Sequence, residues 1–70
     1  MTKEKVVNNL IALRSNAKIT QEELANFLGV TRQTIIAIEK HTYQPSISLA
    51  LKIAKFFNKK VEEIFRIDEK

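Results

Sequence analysis

The chain has 70 residues, enough for one small domain. It has no cysteine and a single histidine, which excludes disulfides, thiolate metal sites and a metal centre built from several histidines. The net charge of +4 favours an anionic partner such as nucleic acid.

The hydropathy pattern indicates neither a membrane protein nor a secreted one. Apolar runs stay below the ~20 residues that a membrane-spanning helix needs. The charged start, Met1-Thr2-Lys3-Glu4-Lys5, is not followed by the apolar stretch of a signal peptide. We therefore expect a cytoplasmic protein that does not bind membranes and needs no metal, cofactor or small-molecule ligand.

The composition predicts an all-α fold, because a single glycine and a single proline stand among many strong helix formers. Asn8-Asn9 can cap a first helix from about Leu10 to Asn16, with Leu10, Leu13 and Ala17 on one face.

A second helix is predicted from Gln21 to Leu28. Thr20 and Glu23 have the spacing of a capping box, in which each side chain accepts a hydrogen bond from the other residue's backbone N–H. The apolar face of this helix is expected to consist of Leu24, Ala25, Phe27 and Leu28.

A tight turn connects this helix to a third one. Gly29 follows the last apolar position, where a helix often ends in the left-handed conformation that glycine adopts without penalty. Thr31 can then cap a helix from Arg32 to Lys40. Ala25 is small where the two helices would cross, and the far side of the corner would be filled by Val30, Ile35 and Ile38. Such a corner projects its second helix outward.

The last third of the chain predicts two more helices. Pro45-Ser46 is a start signal for a helix from Ile47 to Phe57, which is apolar almost all round. We therefore expect it to be central and to carry apolar residues that the helices of one monomer cannot cover. Asn58 can end it in the left-handed region. A short fifth helix is predicted from Val61 to Phe65.

These elements resemble the Xre/Cro/phage-repressor family of helix-turn-helix proteins. The stretch TQEELANFLGVTRQTIIAIE carries the resemblance, which continues through Tyr43, Pro45-Ser46, LALKIAK and EEIF and covers roughly Leu10 to Phe65. Short stand-alone regulators of the cytolysin repressor type are the most similar. Where the family commonly has Asn-Gly after the third helix, this chain has Lys40-His41, and histidine tolerates the left-handed conformation.

The resemblance implies a five-helix lambda-repressor-like DNA-binding domain over 1–70, with the helix-turn-helix at 21–40. The chain ends, Val6-Val7 and Arg66-Ile67, are β-prone, so they are expected to pair as a small two-stranded sheet.

Base contacts are expected on the outward face of the third helix. Helical geometry points Thr31, Ile35 and Ile38 inward. It points Arg32 and Gln33 outward, where arginine pairs with guanine and glutamine with adenine in the major groove. Ile36 and Ala37 also point outward and either contact thymine methyl groups or are scattered surface apolar residues.

Contacts to the phosphate backbone are expected around this helix. Gln21 begins the second helix, where free N–H groups and the dipole favour an anion, and the family uses this glutamine in that way. The resemblance places the loop after the third helix against the backbone, although Tyr43 is equally a candidate for packing. The expected backbone contacts are Gln21, Thr31, Lys40, Thr42, Tyr43 and Gln44.

The resemblance also implies a buried ion pair between Arg14 and Glu39, which joins the first and third helices. Both stand next to core residues, Leu13 and Ile38. The alternative is an exposed pair that contributes only ~0–1 kcal/mol.

A homodimer is expected because a domain this small buries only about 60% of its unfolded surface and lacks a disulfide or metal to support it. The dimerisation region is predicted at about 57–67, with Phe57, Val61, Ile64 and Ile67 in the interface. The alternative is that these residues complete the core of the monomer.

The leading interpretation is a sequence-specific transcriptional regulator, a repressor that binds a palindromic operator in double-stranded DNA as a homodimer. The alternative is an antitoxin-like module that masks a partner protein. An enzyme is not expected, because the chain has no cysteine, no glycine-rich phosphate loop and no histidine–carboxylate constellation.

Overall fold

The computed structural model describes residues 5–68. Their order is β1 (Lys5–Asn8), α1 (Leu10–Ala17), α2 (Gln21–Leu28), α3 (Arg32–Glu39), α4 (Ile47–Phe57), α5 (Val61–Ile64) and β2 (Phe65–Asp68). All five predicted helices are present, and none of those within residues 5–68 has the length and apolar character to cross a membrane.

The two strands form one antiparallel sheet that joins the ends of the described chain. Val6 pairs with Ile67 and Val7 with Arg66, as the sequence predicted. The Asn9 N–H donates to the carbonyl of Ile64 (3.2 Å), which continues the pairing into the start of α1. The sheet therefore fixes α1 against α5.

Side-chain caps define the starts of three helices as expected. Thr20 and Glu23 form the capping box of α2, while Thr31 and Ser46 accept from the Thr34 and Leu49 N–H groups. Asn8, not Asn9, accepts from the Leu10 N–H (3.0 Å) at the start of α1.

Left-handed residues end or follow four helices. Gly29 (φ 73°), Asn58 (φ 57°) and His41 (φ 62°) were anticipated, and Lys18 (φ 59°) was not. Because His41 leaves the helical region, α3 stops at Glu39 with Lys40 as its cap, one residue earlier than predicted. α5 also ends one residue early, since the extended backbone of Phe65 begins β2.

The core lies where all five helices meet. Its completely buried large side chains are Leu10, Leu24, Ile35, Ile38, Ile53 and Ile64. Three expectations about the core were wrong. Ala17 and Thr31 are exposed, and so is Phe27, which lies at the edge of the apolar face of α2. α4, in agreement with its composition, is covered by helices only on the side that carries Leu49, Ile53 and Ala54, and Ile47 and Leu51 are exposed.

Candidate nucleic-acid interface

The corner between α2 and α3 is built from local backbone bonds. The Val30 N–H donates to the Ala25 carbonyl (3.0 Å) and the Gly29 N–H to the Asn26 carbonyl (3.3 Å), which closes α2 with a tight reversal. Ala25 is buried at the crossing, and Ile35 and Ile38 hold α3 from within. The opposite face of α3 is thereby turned toward solvent.

That face carries the predicted base-contacting residues. Arg32 and Gln33 are exposed on the first turn of α3, and both lack a hydrogen-bond partner among the described residues. Ile36 and Ala37, on the next turn, are half-buried, so they present a smaller apolar surface beside the two polar side chains. Lys40 is exposed just after the helix.

A buried carboxylate joins three segments behind this face. Glu39 Oε2 accepts from Arg14 Nε at 2.7 Å and its Oε1 from Arg14 Nη2 at 3.3 Å, while Arg14 Nη1 donates to the Ile19 carbonyl. The side chains of Arg14 and Glu39 are only 17% and 4% exposed. The two residues that the resemblance pairs are thus in a bidentate, largely buried contact.

Gln21 belongs to the same network, which the sequence did not indicate. Its Nε2 donates to Glu39 Oε1 at 2.9 Å and therefore fixes the first residue of α2 against the last residue of α3. An amide nitrogen has two hydrogens, so one N–H of Gln21 remains for another acceptor. Gln21 also lines an open depression together with Arg14, Thr20, Glu22 and Arg32.

The loop after α3 is held by Thr42. Its backbone N–H and its hydroxyl both donate to the Ala37 carbonyl, at 3.0 and 3.2 Å. The hydroxyl hydrogen is thus already used inside the protein. Tyr43 and Gln44 are exposed, so Tyr43 is not a core residue.

Asn8 links the sheet to α3, a role that sequence reasoning missed. Its Nδ2 donates to the Ile38 carbonyl at 2.9 Å and lies 3.4 Å from His41 Nδ1. Its Oδ1 caps α1, as described above. The only sequence signal was the capping propensity of asparagine, which gave the contact to α1 and not the contact to α3.

The four residues predicted for a dimer interface differ in their accessibility. Ile64 is completely buried in the core of its own chain, so its assignment to a dimer interface was wrong. Phe57 and Val61 are half-buried against that core, and Ile67 is 46% exposed on β2. The most exposed apolar residues of α4 are instead Ile47 (80%) and Leu51 (56%), one helical turn apart.

The sequence profile of the helix-turn-helix family matches residues 10–64. An uncharacterized HTH-type transcriptional regulator of Methanocaldococcus jannaschii is 60% identical over 58 residues, covering 83% of this chain and 88% of that protein. YgzD of Bacillus subtilis, which carries the same description, is 48% identical over 62 residues, covering 89% of this chain and 94% of that protein.

Two further similarities extend the comparison. The transcriptional repressor RstR of the cryptic phage CTXphi, from Vibrio cholerae, is 38% identical over 63 residues, covering 83% of this chain and 57% of that protein. The crystal structure of a candidate DNA-binding protein from Bacteroides fragilis superimposes with a TM-score of 0.77 at 21% identity, over 87% of this chain and 98% of that one. The latter shows a shared fold.

Proposed function

Because this chain belongs to the helix-turn-helix family of the Xre type, we propose that it is a transcriptional regulator that binds double-stranded DNA. The observation that supports this proposal is that Arg32 and Gln33 are exposed at the start of a helix whose opposite face packs in the core. The proposed activity is binding and not catalysis, and its place is the cytoplasm, where the DNA is accessible.

Arg32 and Gln33 read base edges in the major groove. Both side chains have paired polar groups that match guanine and adenine respectively, and such contacts distinguish one base pair from another. Ile36 and Ala37 follow on the next turn of α3, where they contact thymine methyl groups.

A ring of contacts to phosphates sets the orientation of α3. Gln21 uses its second amide hydrogen, while Glu39 holds the first. Lys40, Tyr43 and Gln44 approach the backbone from the other end of α3. Thr31 and Thr42 are also exposed and lie against the phosphate backbone, although their hydroxyl groups already form hydrogen bonds within the chain.

The protein acts as a repressor by occupying an operator. The similarity to RstR, which is named a transcriptional repressor, favours this direction of control over activation. Occupation of a promoter by a small domain excludes other proteins from the same grooves and needs no cofactor.

Two copies bind together to a palindromic operator. Ile47 and Leu51 form an exposed apolar strip on α4, directly after the loop that approaches the phosphates, and an isologous contact between two such strips removes both from water. Two α3 helices then enter successive major grooves about 34 Å apart. This strip, with Ile67 as a further exposed residue, replaces the C-terminal interface in which Ile64 took part.

Selection of bound sequences from a random duplex library tests the proposal. We expect enrichment of an inverted repeat whose half-sites are centred about ten base pairs apart. The Arg32→Ala, Gln33→Ala double variant is expected to enrich no sequence while keeping its helical circular dichroism. Arg66→Ala, which removes an exposed arginine on β2, is the matched control and should select the parent sequence. Failure of the parent protein to enrich any sequence at low salt contradicts the proposal.

A further inference from the structure

Two aromatic rings are exposed together at the ends of α2 and α4. Phe27 is 67% exposed and Phe56 is 39% exposed, and their ring centroids lie 5.2 Å apart with an interplanar angle of 36°. Phe56 also packs edge-on against the half-buried Phe57 at 4.9 Å. The pair is therefore anchored to the core on one side and open to water on the other.

These rings form the floor of a groove that carries positive charge. Its lining consists of the apolar residues Phe27, Leu28 and Phe56 and the two lysines Lys52 and Lys55. The groove has a volume of about 270 Å³, enough for one or two large apolar side chains. Lys52 and Lys55 are three residues apart on α4, so their ammonium groups are neighbours on one helical face.

DNA binding does not account for this surface. The groove is lined by α2 and α4, whereas the proposed DNA contacts lie on α3, at the first residue of α2 and in the loop before α4. Isolated surface apolar residues are ordinary. A tilted pair of aromatic rings beside two lysines has instead the composition of an interaction hot spot, in which aromatic residues supply the apolar contact.

We propose that this groove docks an acidic amphipathic helix of a partner protein. One large apolar side chain of that helix packs between Phe27 and Phe56. Two carboxylates one turn apart on the same helix pair with Lys52 and Lys55. The positive charge of the groove selects the acidic partner, and the aromatic floor supplies most of the affinity.

A synthetic peptide provides the probe. It has about 15 residues, the length at which an isolated helix becomes marginally stable, with one phenylalanine flanked by glutamates on the neighbouring turns. A matched peptide has glutamine in place of each glutamate. Titration of the full-length protein, followed by amide chemical shifts, is expected to perturb residues 27, 28, 52, 55 and 56 with the acidic peptide and to show much weaker binding of the glutamine peptide.

Variants separate the contribution of the aromatic floor to peptide binding from that of the two lysines. Phe27→Ser is expected to weaken acidic-peptide binding about tenfold, since it removes half of the apolar floor. Ile11→Ser, which replaces an exposed apolar side chain on α1, leaves the binding unchanged. The double variant Lys52→Glu, Lys55→Glu should lose the acidic peptide and bind a lysine version of it. The double variant Lys59→Glu, Lys60→Glu is the matched charge control, because it makes the same change in net charge at exposed lysines that do not line the groove. Phe27→Ser and Ile11→Ser should keep the parent's affinity for DNA, and both charge-reversal variants should select the parent's DNA sequence, so this test stands apart from that of the proposed function.

Four outcomes overturn the inference. One is equal affinity for the acidic and glutamine peptides, and another is a shift pattern centred on α3. A third is a lower sedimentation mass for Phe27→Ser, which would make a second copy of the chain the occupant. The fourth is binding of the parent to phosphatidylglycerol vesicles with no binding of the acidic peptide, which would assign the groove to a lipid surface.

Discussion

At the scale of single residues, we predict that Arg32 and Gln33 carry the discrimination between operator and random DNA. Replacing either with alanine removes a bidentate base contact, so we expect a loss of about 1–3 kcal/mol on the selected site and much less on random duplex. Fluorescence anisotropy at fixed salt measures both affinities, with Arg66→Ala as the control for a lost positive charge. Equal losses on the two DNAs would show that these side chains contact only phosphates.

Glu39 is the residue on which the stability of the corner depends most. Glu39→Gln leaves the guanidinium of Arg14 largely buried without its counter-charge, and we expect the free energy of unfolding to fall by about 3 kcal/mol. For a chain of this size that loss lowers Tm by roughly 12–24 °C. Thermal melts followed by circular dichroism measure it, and Glu22→Gln on the exposed side of α2 is the control. A Glu39→Gln protein that melts with the parent would contradict the prediction.

Residue roles that depend on backbone periodicity could be predicted, and those that depend on tertiary contacts could not. Helical periodicity on α3 separated the buried Ile35 and Ile38 from the exposed Arg32 and Gln33. The bond from Gln21 to Glu39 and the bond from Asn8 to the Ile38 carbonyl span 18 and 30 residues. No local spacing encodes contacts of that range, because they exist only after the helices have packed.

At the scale of elements, Gly29 decides the geometry of the turn between α2 and α3. Its φ of 73° is unfavourable for a residue with a Cβ, although a Cβ placed there meets nothing within 4 Å. The cost of Gly29→Ala is thus conformational alone, and we expect about 1–2 kcal/mol of destabilisation in urea unfolding. Gly29→Asn should restore much of the loss, because asparagine visits this region more readily. Equal unfolding midpoints for the parent and Gly29→Ala would contradict this account.

The starts of helices were easier to predict than their faces. Thr20, Thr31 and Ser46 cap through their own side chains, and this chemistry is visible in a few consecutive letters. The composition of α4 predicted apolar residues that one layer of helices cannot cover, but it did not indicate which residues those are. Ile47 and Leu51 are apolar without being covered by any helix in the described chain.

At the scale of the whole molecule, one hydrogen-bond network and one sheet support the side that we propose faces DNA. Glu39 joins α1, α2 and α3, and Asn8 joins β1 to the Ile38 carbonyl, so the C-terminal end of the proposed reading helix is held by contacts to α1, α2 and the sheet. A rigid interface loses little conformational entropy when it binds. Most of the exposed large apolar side chains, in contrast, lie outside the proposed reading face: Phe27 is on α2, and Ile47, Leu51 and Phe56 are on α4.

The last prediction is that Ile47 and Leu51 hold two copies of the protein together. Their side chains share one face of α4 and are the most extensive exposed apolar strip on that helix, so a symmetric contact buries each against its counterpart. We expect the Ile47→Ser, Leu51→Ser double variant to sediment near the monomer mass of 8.1 kDa at a micromolar concentration at which the parent is a dimer.

The same variant should bind one half-site as well as the parent does and lose the preference for an inverted repeat, because each copy keeps its own α3. Ile11→Ser should leave both properties unchanged, since that residue lies on α1. If Ile67→Ser dissociates the dimer and the α4 variant does not, the interface lies on β2. In that case the sheets of the two copies meet at the symmetry axis. The distance between the two α3 helices, and therefore the spacing of the half-sites, then differs from the one expected for an interface on α4.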